Sequence, residues 1–434
     1  MTTDAMSLTR RGFLGVLGAA GLAAGLAACG IGQSKDSKTL KFWNMPDGGP
    51  AFEPLDRKIT LAYSPASGLP KASYQQIQWA SFIQTFATAI VSNTGPAVSG
   101  GGGTQAFQFA EQGAIAYADD LLESWKSNGL YDDFLPGLLE TMKTPDGYVA
   151  VPYNLDIRSV WYNKELLEKA GVEPPTDWQS YLDVAAALKK IGVYGFVASG
   201  NANGGDGFQA IVSLMINNGG GIFDEEQRPN LLTQANIEAL DFVAENISKG
   251  YMDPASISYT TTNTNSQWQS GRFGLGIDVP GLAANVAGAT SQQLVVGDPL
   301  TSAAGKQGAL YFPNNIMMYK DTPSQKGSED FLTYYYKHMA PLWTQKTGIG
   351  LPVLKSIVAS KEFRSDPNQV KLIEKWQPIC RTWAAPGSNS LFAGAALVDS
   401  TPAMSSFGQN VLSGRPAKEC LSTLQRSLTD QLHK

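Results

Sequence analysis

The sequence contains very little histidine. Among its 434 residues only His338 and His433 are histidines, so a histidine-rich metal site is excluded. His338 follows three consecutive tyrosines, a setting typical of a structural side chain. No Gly-x-Ser-x-Gly nucleophile motif precedes a helical segment. We therefore predict no catalytic residues, no metal site and no cofactor.

Strong charge and long apolar runs are also lacking. The formal net charge is −5, with acidic and basic residues evenly mixed, which gives no reason to expect a nucleic-acid partner. Beyond residue 28, no segment approaches the ~20 apolar residues of a spanning helix. A hydrophobic content of 43% is typical of globular proteins, and the length suffices for two or three domains.

The N-terminal residues form an export signal rather than part of the fold. Arg10-Arg11 lies in a twin-arginine pattern and is followed by a Gly/Ala/Leu run that ends at Ala28. Leu26–Cys29 resembles a lipobox, the site at which bacterial lipoproteins are acylated on cysteine and cut just before it. An ordinary signal peptide with an incidental cysteine is the alternative. We predict a Tat-type lipoprotein signal peptide over residues 1–28, lipidation at Cys29 and a lipid-anchored tether over residues 29–38, with the protein exported to the outer face of the membrane.

Two further cysteines remain, Cys380 and Cys420. An exported chain permits a disulfide between them. The bridge would close a loop of about 40 residues, and the chain-entropy model gives it roughly 4 kcal/mol of stabilisation. Two buried thiols are the alternative, because the sequence does not supply the distance between the Cα atoms.

Apolar patterning indicates strands alternating with helices, which is typical of an α/β fold. Thr39–Trp43 and Lys58–Tyr63 have the composition of strands, whereas Asn93–Gly103 reads as a glycine-rich loop. Gln234–Gly250 has strong helical periodicity and ends at a glycine. From Ser328 onward the chain is predicted to be mostly helical.

The segment Asp146–Trp178 organises the chain. Two β-rich runs, Tyr148–Tyr153 and Ser159–Tyr162, are followed by a short helical run. Asn163 is a favourable N-cap for that helix, and Gly171 closes it. We predict that the chain crosses here from one lobe to another and that a ligand lies in the cleft between the lobes.

Several blocks in this order resemble one family, the extracellular solute-binding proteins of ABC importers, which include maltodextrin-binding and other sugar-binding lipoproteins. The resemblance covers most of residues 39–434. The matching blocks are Gly147, Pro152, Tyr162-Asn163-Lys164, Ala170-Gly171, Pro175–Trp178, Asn218–Gly220, Gly271–Leu275 and Gly414.

This resemblance implies a two-lobe α/β fold of the type II periplasmic-binding-protein kind, with a hinge of several crossovers and a mostly helical C-terminal region. We assign residues 39–153 and 279–312 to lobe 1, and residues 154–278 and 313–434 to lobe 2. The implied protein is a monomeric carbohydrate receptor that delivers its ligand to a membrane permease, not an enzyme.

Three alternatives remain open. The first is a receptor for a glycerol-phosphodiester or another non-sugar solute. The second is an exported glycoside-active enzyme that uses Asp278 and Asp298 as paired carboxylates, although the sequence does not set their separation. The third is a surface adhesion module, which the cleft-type hinge disfavours.

One departure from the family concerns the wall of the first lobe. Where many relatives place larger side chains facing the cleft, this chain has Gly100–Gly103. The sequence therefore predicts a lower wall on that side. An anion held by backbone N–H groups of Ser99–Gly103 is a further hypothesis, and a plain turn is the favoured interpretation.

A sugar site needs carboxylates and amides for hydroxyl groups and aromatic rings for C–H faces. The resemblance places a sugar-binding aspartate at Asp47 and an acidic ligand residue at Asp156, beside the crossover. Trp43 and Trp161 could instead be core residues, and Asp47 and Asn203 could be turn residues. The predicted ligand-binding residues are Trp43, Asp47, Tyr153, Asn154, Asp156, Asn203, Asp206, Trp268, Asp278, Tyr311 and Asn314, with Trp383 as a further candidate for stacking.

Overall fold

A computed structural model describes residues 39–200, 206–396, 398 and 402–432. The predicted signal peptide, Cys29, the tether and Asn203 lie outside the described residues. The strands are β1 (Thr39–Asn44), β2 (Lys71–Gln76), β3 (Val98–Gly101), β4 (Ile115–Ala116), β5 (Lys143–Thr144), β6 (Gly147–Tyr148), β7 (Val151–Ile157), β8 (Ser159–Asn163), β9 (Leu275–Asp278), β10 (Leu294–Val296), β11 (Ala309–Tyr319), β12 (Leu351–Pro352) and β13 (Cys380–Arg381).

Helices surround these strands, and the described part of the chain beyond residue 320 is mostly helical, as predicted. No described helix is long and apolar enough to span a bilayer. The helices are α1 (Phe52–Leu61), α2 (Phe82–Val91), α3 (Gln105–Glu111), α4 (Asp119–Lys126), α5 (Leu130–Asp133), α6 (Lys164–Ala170), α7 (Trp178–Lys190), α8 (Asp206–Asn217), α9 (Gln234–Ser248), α10 (Thr261–Gln269), α11 (Leu282–Asn285), α12 (Gln325–His338), α13 (Pro341–Thr344), α14 (Lys355–Val358), α15 (Lys361–Arg364), α16 (Pro367–Lys371), α17 (Pro402–Leu412) and α18 (Ala417–Leu432).

Two sheets form the centres of the two lobes. The large sheet has the order β12-β7-β11-β3-β1-β2, with β13 and β4 also pairing with β11. The small sheet has the order β10-β8-β9. Strand β11 is buried along its whole length, pairing with β7 and β13 near its start and with β3 and β4 near its end. The predicted α/β fold with two lobes is confirmed.

Local signals around the first crossover behave as predicted. The Asn163 Oδ1 accepts the Leu166 N–H at 3.2 Å and begins α6, and Gly171 ends it in the left-handed region at φ 70°. Asp177 begins α7 with a capping box that it shares with Ser180. These caps depend on neighbours within four residues, so the sequence is sufficient to predict them.

The strand pairings differ from the predicted lobe boundaries. Leu155–Ile157 still pair with β11, so the chain leaves the large sheet at Arg158. Strand β10 pairs with β8 in the small sheet, although residues 279–312 were assigned to lobe 1. The second half of β11 returns to the large sheet, although residues 313–434 were assigned to lobe 2. The chain therefore returns to the large sheet after β10 and not after β9. The position of this crossing is set by pairing between segments that are distant in the sequence.

Two local predictions are wrong. Lys58–Tyr63 was predicted as a strand, but most of it lies in α1, whose buried face includes Asp56, Ile59 and Thr60. The glycine-rich segment was predicted as a loop, but it contains the buried strand β3. A Cβ atom at Gly100 would lie 2.1 Å from the Asn44 Oδ1. This close contact accounts for a glycine at that position.

The two described cysteines are free and buried. Cys380 lies in β13 beside β11, whereas Cys420 lies in the last helix, with its Sγ atom 3.9 Å from the Arg415 carbonyl oxygen. Burial raises the pKa of both thiols. The predicted disulfide is therefore wrong, and the alternative of two buried thiols is correct.

Candidate functional site

The carboxyl ends of β1, β2 and β3 meet at one edge of the large sheet. These three strands are parallel, with β1 between the other two. Ligands of open α/β sheets bind outside the carboxyl ends of the strands, because the connecting loops diverge there. The edge brings together the Asp47 loop after β1, Trp79 after β2 and the glycines that end β3. We therefore place the candidate site at this edge, where it adjoins the crossover at Arg158.

The Asp47 loop is held in place from two sides. The Gly49 N–H donates to the Thr347 carbonyl oxygen at 2.7 Å, and the Trp79 Nε1–H donates to the Pro46 carbonyl oxygen at 3.3 Å. Asp47 itself is half-buried. These contacts present its carboxylate at the sheet edge instead of leaving it on a free turn.

Electrostatics show which groups surround Asp47. Burial raises the pKa of its carboxyl group well above the ordinary value, and the negative charges of Asp56 and Asp156 raise it further. The side-chain amide of Asn154 acts in the opposite direction. Asp47 therefore lies near two other carboxylates and opposite an amide donor.

Asp156 projects from β7 close to the crossover. Its Oδ1 atom accepts a hydrogen bond from the Arg158 Nη1 at 2.6 Å, and its side chain is 25% exposed. Across the ladder, Asp156 faces Phe312 of β11. The residue thus combines a fixed carboxylate with access to solvent, as a ligand-binding residue requires.

A pair of side-chain amides lies two residues further along the same ladder. Asn154 and Asn314 face each other, and the Asn314 Nδ2 donates to the Asn154 Oδ1 at 3.2 Å. The Asn154 Nδ2 has no hydrogen-bond partner within 3.5 Å among the described residues, although it faces Asp47 at longer range. We call the group formed by Asp47, Asn154, Asp156, Arg158 and Asn314 the polar cluster.

Strand alternation removes Tyr153 from the predicted site. Successive residues of a strand point to opposite faces, so Tyr153 and Asn154 cannot both face the cluster. Tyr153 is fully buried against α12, where its hydroxyl forms a 3.0 Å hydrogen bond with the Tyr335 hydroxyl. The prediction of a ligand-facing Tyr153 is corrected to a core residue.

Other predicted aromatic residues also lie in the core. Trp43 packs edge-on against Phe86, and Trp268 is fully buried against Phe273. Tyr311 is 4% exposed, and its hydroxyl lies 3.5 Å from the Asn389 Nδ2. Large apolar surfaces are buried preferentially, which is why aromatic residues are weak indicators of a binding site.

Asp278 lies at the end of the small sheet and pairs with Ser159, next to the crossover. Its Oδ2 atom accepts the Trp268 Nε1–H at 2.9 Å, and its Oδ1 atom accepts the Val279 N–H at 2.8 Å. The hydrogen bond from Trp268 thus fixes the orientation of the Asp278 carboxylate. Asp206 begins α8, and its side chain is not described.

Sequence reasoning missed Arg158, Gln209, Trp79 and Asp56. The spacing of Asp156 and Arg158 was a usable signal, since residues i and i+2 of an extended strand lie on one face. Trp79 lies between β2 and α2, in a short 3₁₀ turn that no motif marks in the sequence. Asp56 fell in a segment with no recognisable motif. In the described part of the chain, no cluster of three or more acidic, histidine or cysteine side chains is suited to a metal ion.

A family model described as bacterial extracellular solute-binding protein matches residues 70–340. The chain belongs to this family. The predicted membership of the extracellular solute-binding proteins is therefore confirmed, and the family consists of exported binding proteins rather than enzymes.

Individual members of the solute-binding family agree with this assignment. A sugar transporter from Arthrobacter chlorophenolicus A6, solved with bound laminaribiose, is 46% identical with a TM-score of 0.87, covering 91% of this chain and 100% of that chain. The GacH receptor of Streptomyces glaucescens has a TM-score of 0.74 at 21% identity over 92% of this chain and 99% of its own, which supports the fold alone. A binding protein of Brucella abortus is 25% identical over 77% of this chain and 81% of its own.

Proposed function

We propose that this protein captures a neutral carbohydrate of about two sugar units and delivers it to an ABC importer. The observation that carries the proposal is the 46% identity, over 91% of the chain, to the sugar transporter solved with laminaribiose. The ligand binds one lobe and gains contacts with the other on closure, so it stabilises the closed form by its differential affinity.

The chemistry of the polar cluster supports a sugar ligand. Carboxylates accept hydrogen bonds from hydroxyl groups, and the amides of Asn154 and Asn314 provide further polar partners. Asp156 keeps its second oxygen, Oδ2, without a hydrogen-bond partner among the described residues. The proposed ligand therefore presents several hydroxyl groups to acceptors that are already fixed.

The same charges disfavour an anionic ligand such as a glycerol-phosphodiester. Asp56 and Asp156 lie close enough to Asp47 to raise its pKa, and Arg158 is already paired with Asp156. A phosphate group at the cluster would lie beside carboxyl groups, and the arginine there is already paired, so binding an anion costs affinity unless a further cation compensates.

Isothermal titration calorimetry with laminaribiose tests the proposed function. Maltose, cellobiose and glycerol 3-phosphate serve as comparison ligands, and product analysis after overnight incubation tests for hydrolysis. We expect saturable 1:1 binding of laminaribiose without turnover. Turnover would support the glycoside-active alternative, and binding of glycerol 3-phosphate alone would overturn the carbohydrate assignment.

Trp79 is the exposed aromatic residue of this edge and provides a platform for the C–H face of a sugar ring. Its side chain is 39% exposed and packs edge-on against Phe82, next to the Asp47 loop. We expect Trp79→Ala to weaken laminaribiose binding about 10-fold, as loss of roughly 1.4 kcal/mol of ring contact would produce.

Tryptophan fluorescence measures the effect, because ligand contact should change the emission of the wild type and the change should diminish in the variant. Trp79→Phe retains a ring and should keep most of the affinity. Equal affinities of Trp79→Ala and the wild type would remove Trp79 from the site.

Membrane anchoring through Cys29 completes the proposed function. The twin-arginine pattern and the lipobox-like Leu26–Cys29 support export of a folded protein followed by acylation of Cys29. We expect Cys29→Ser to abolish incorporation of labelled fatty acid and to shift the protein from the membrane fraction to the soluble fraction. Cys380→Ser is the matched control, since that thiol is buried. Equal labelling of both variants would contradict the prediction.

A further inference from the structure

Arg158 occupies the point at which the chain leaves the large sheet for the small one. Its backbone N–H donates to the Leu310 carbonyl oxygen at 2.9 Å, and its carbonyl oxygen accepts the Ser213 hydroxyl at 3.3 Å. The residue is 5% exposed. The backbone on which its side chain is mounted is thus tied both to β11 and to α8.

The guanidinium group of Arg158 contacts three different elements. Its Nη1 donates to the Asp156 Oδ1 at 2.6 Å, and its Nε donates to the Gln209 Oε1 of α8 at 2.8 Å. Its carbon atom Cζ lies 5.0 Å from the centre of the Phe312 ring. The planar guanidinium has a fixed fork of donors, so it reaches Asp156 and Gln209 at the same time.

We propose that Arg158 is a positioning residue that acts on the ligand through Asp156. The guanidinium holds the Oδ1 atom of Asp156, so the Oδ2 atom is aimed at a hydroxyl group of the ligand. This inference rests on the proposed function, and it goes further by assigning ligand recognition to a residue that does not itself touch the ligand.

The exposures of the two partners support a role in positioning. The Arg158 side chain is 6% exposed and the Asp156 side chain is 25% exposed, so the carboxylate is accessible to a ligand and the guanidinium is not. Transferring a cation from water to a buried position costs free energy. A buried ion pair such as Arg158–Asp156 is therefore not a reliable source of stability. The hydrogen bond to Gln209 and the contact with the Phe312 ring also hold the guanidinium, which makes it a rigid support for Asp156.

A double-mutant cycle separates positioning from simple structural support. Binding of laminaribiose is measured by calorimetry for the wild type, Arg158→Met, Asp156→Asn and the double variant. We expect Arg158→Met to weaken binding about 30-fold in the wild-type background and less than 3-fold in the Asp156→Asn background, since effects through one shared contact are not additive. Arg158→Lys, which can still reach Asp156, should recover most of the lost affinity.

Arg272 provides a matched control. It also forms an ion pair with an aspartate, at 3.2 Å from Asp253, and also lies over an aromatic ring, 5.6 Å from the centre of Tyr194. Arg272→Met should leave the affinity unchanged. Circular dichroism and thermal melting verify that each variant is folded.

The outcomes discriminate between the two proposals. A wild type that binds no carbohydrate overturns the proposed function. A wild type that binds, together with equal losses from Arg158→Met in both backgrounds, overturns the positioning role and leaves the proposed function intact. An Arg158→Lys variant as weak as Arg158→Met would also contradict positioning through Asp156.

Discussion

Replacing Asp156 by asparagine is expected to weaken carbohydrate binding by about 10- to 100-fold. Hydrogen bonds to charged groups contribute about 1.5–3 kcal/mol, and the substitution removes the charge while retaining the size of the side chain. The asparagine Oδ1 can still accept from the Arg158 Nη1, so the buried guanidinium keeps a partner. For this reason asparagine is a cleaner substitution than alanine, which would leave that partner position empty.

Asp298 is a suitable control for Asp156. It too is an aspartate paired with cations, at 2.9 Å from Lys375 and 3.3 Å from Lys371, and it follows β10 of the small sheet. Asp298→Asn should leave the affinity unchanged in the same calorimetric titration. If both variants bind laminaribiose as the wild type does, Asp156 is not a ligand-binding residue.

The second large effect concerns the buried carboxyl group of Asp56 in α1. Its oxygens accept hydrogen bonds from the Asn44 amide at 2.8 Å and from the Tyr335 hydroxyl, and the residue is fully buried. Burial raises the pKa of Asp56 from 3.8 to about 6, although these hydrogen bonds lower it. The folded protein therefore holds this proton more tightly than the unfolded chain does.

The sign of the pH dependence follows from this difference. The raised pKa contributes stability that is fully present below about pH 4 and is lost as the pH rises through 6. A shift of about two pKa units corresponds to roughly 3 kcal/mol. We expect the unfolding free energy of the wild type minus that of Asp56→Asn to fall by about this amount between pH 3.5 and pH 7.

Urea denaturation at several pH values measures the difference between the two proteins. Taking the difference removes the contributions of other titrating groups that both proteins share. The exposed Asp132, replaced by asparagine, provides a control for the effect of the substitution itself. A flat curve for Asp56→Asn would show that Asp56 titrates normally in the folded state.

Local chemistry made part of the fold predictable from the sequence. The caps at Asn163 and Gly171 depend on hydrogen bonds within four residues, and the structure forms both. The first strand, Thr39–Trp43, was also correct to within one residue. By contrast, Lys58–Tyr63 has strand composition but lies mostly in α1, because its tertiary partners favour a helix over its intrinsic propensity.

The candidate site was predictable only in part. Asp47, Asn154, Asp156 and Asn314 were selected from the sequence, and the structure brings these four together at one edge. Tyr153 was selected with them but faces the core, since a strand directs neighbouring side chains to opposite faces and its register was not known. Their roles in binding remain predictions for the titrations described above.

The sequence by itself determined the family, the α/β class and a crossover within Asp146–Trp178, because each rests on short motifs or local patterning. Tertiary structure alone decided the register of β7 against β11, the return crossing after β10 and the placement of Arg158 behind Asp156. These features depend on contacts between residues that are far apart in the chain. Such contacts form only when the whole core packs, so no local pattern specifies them.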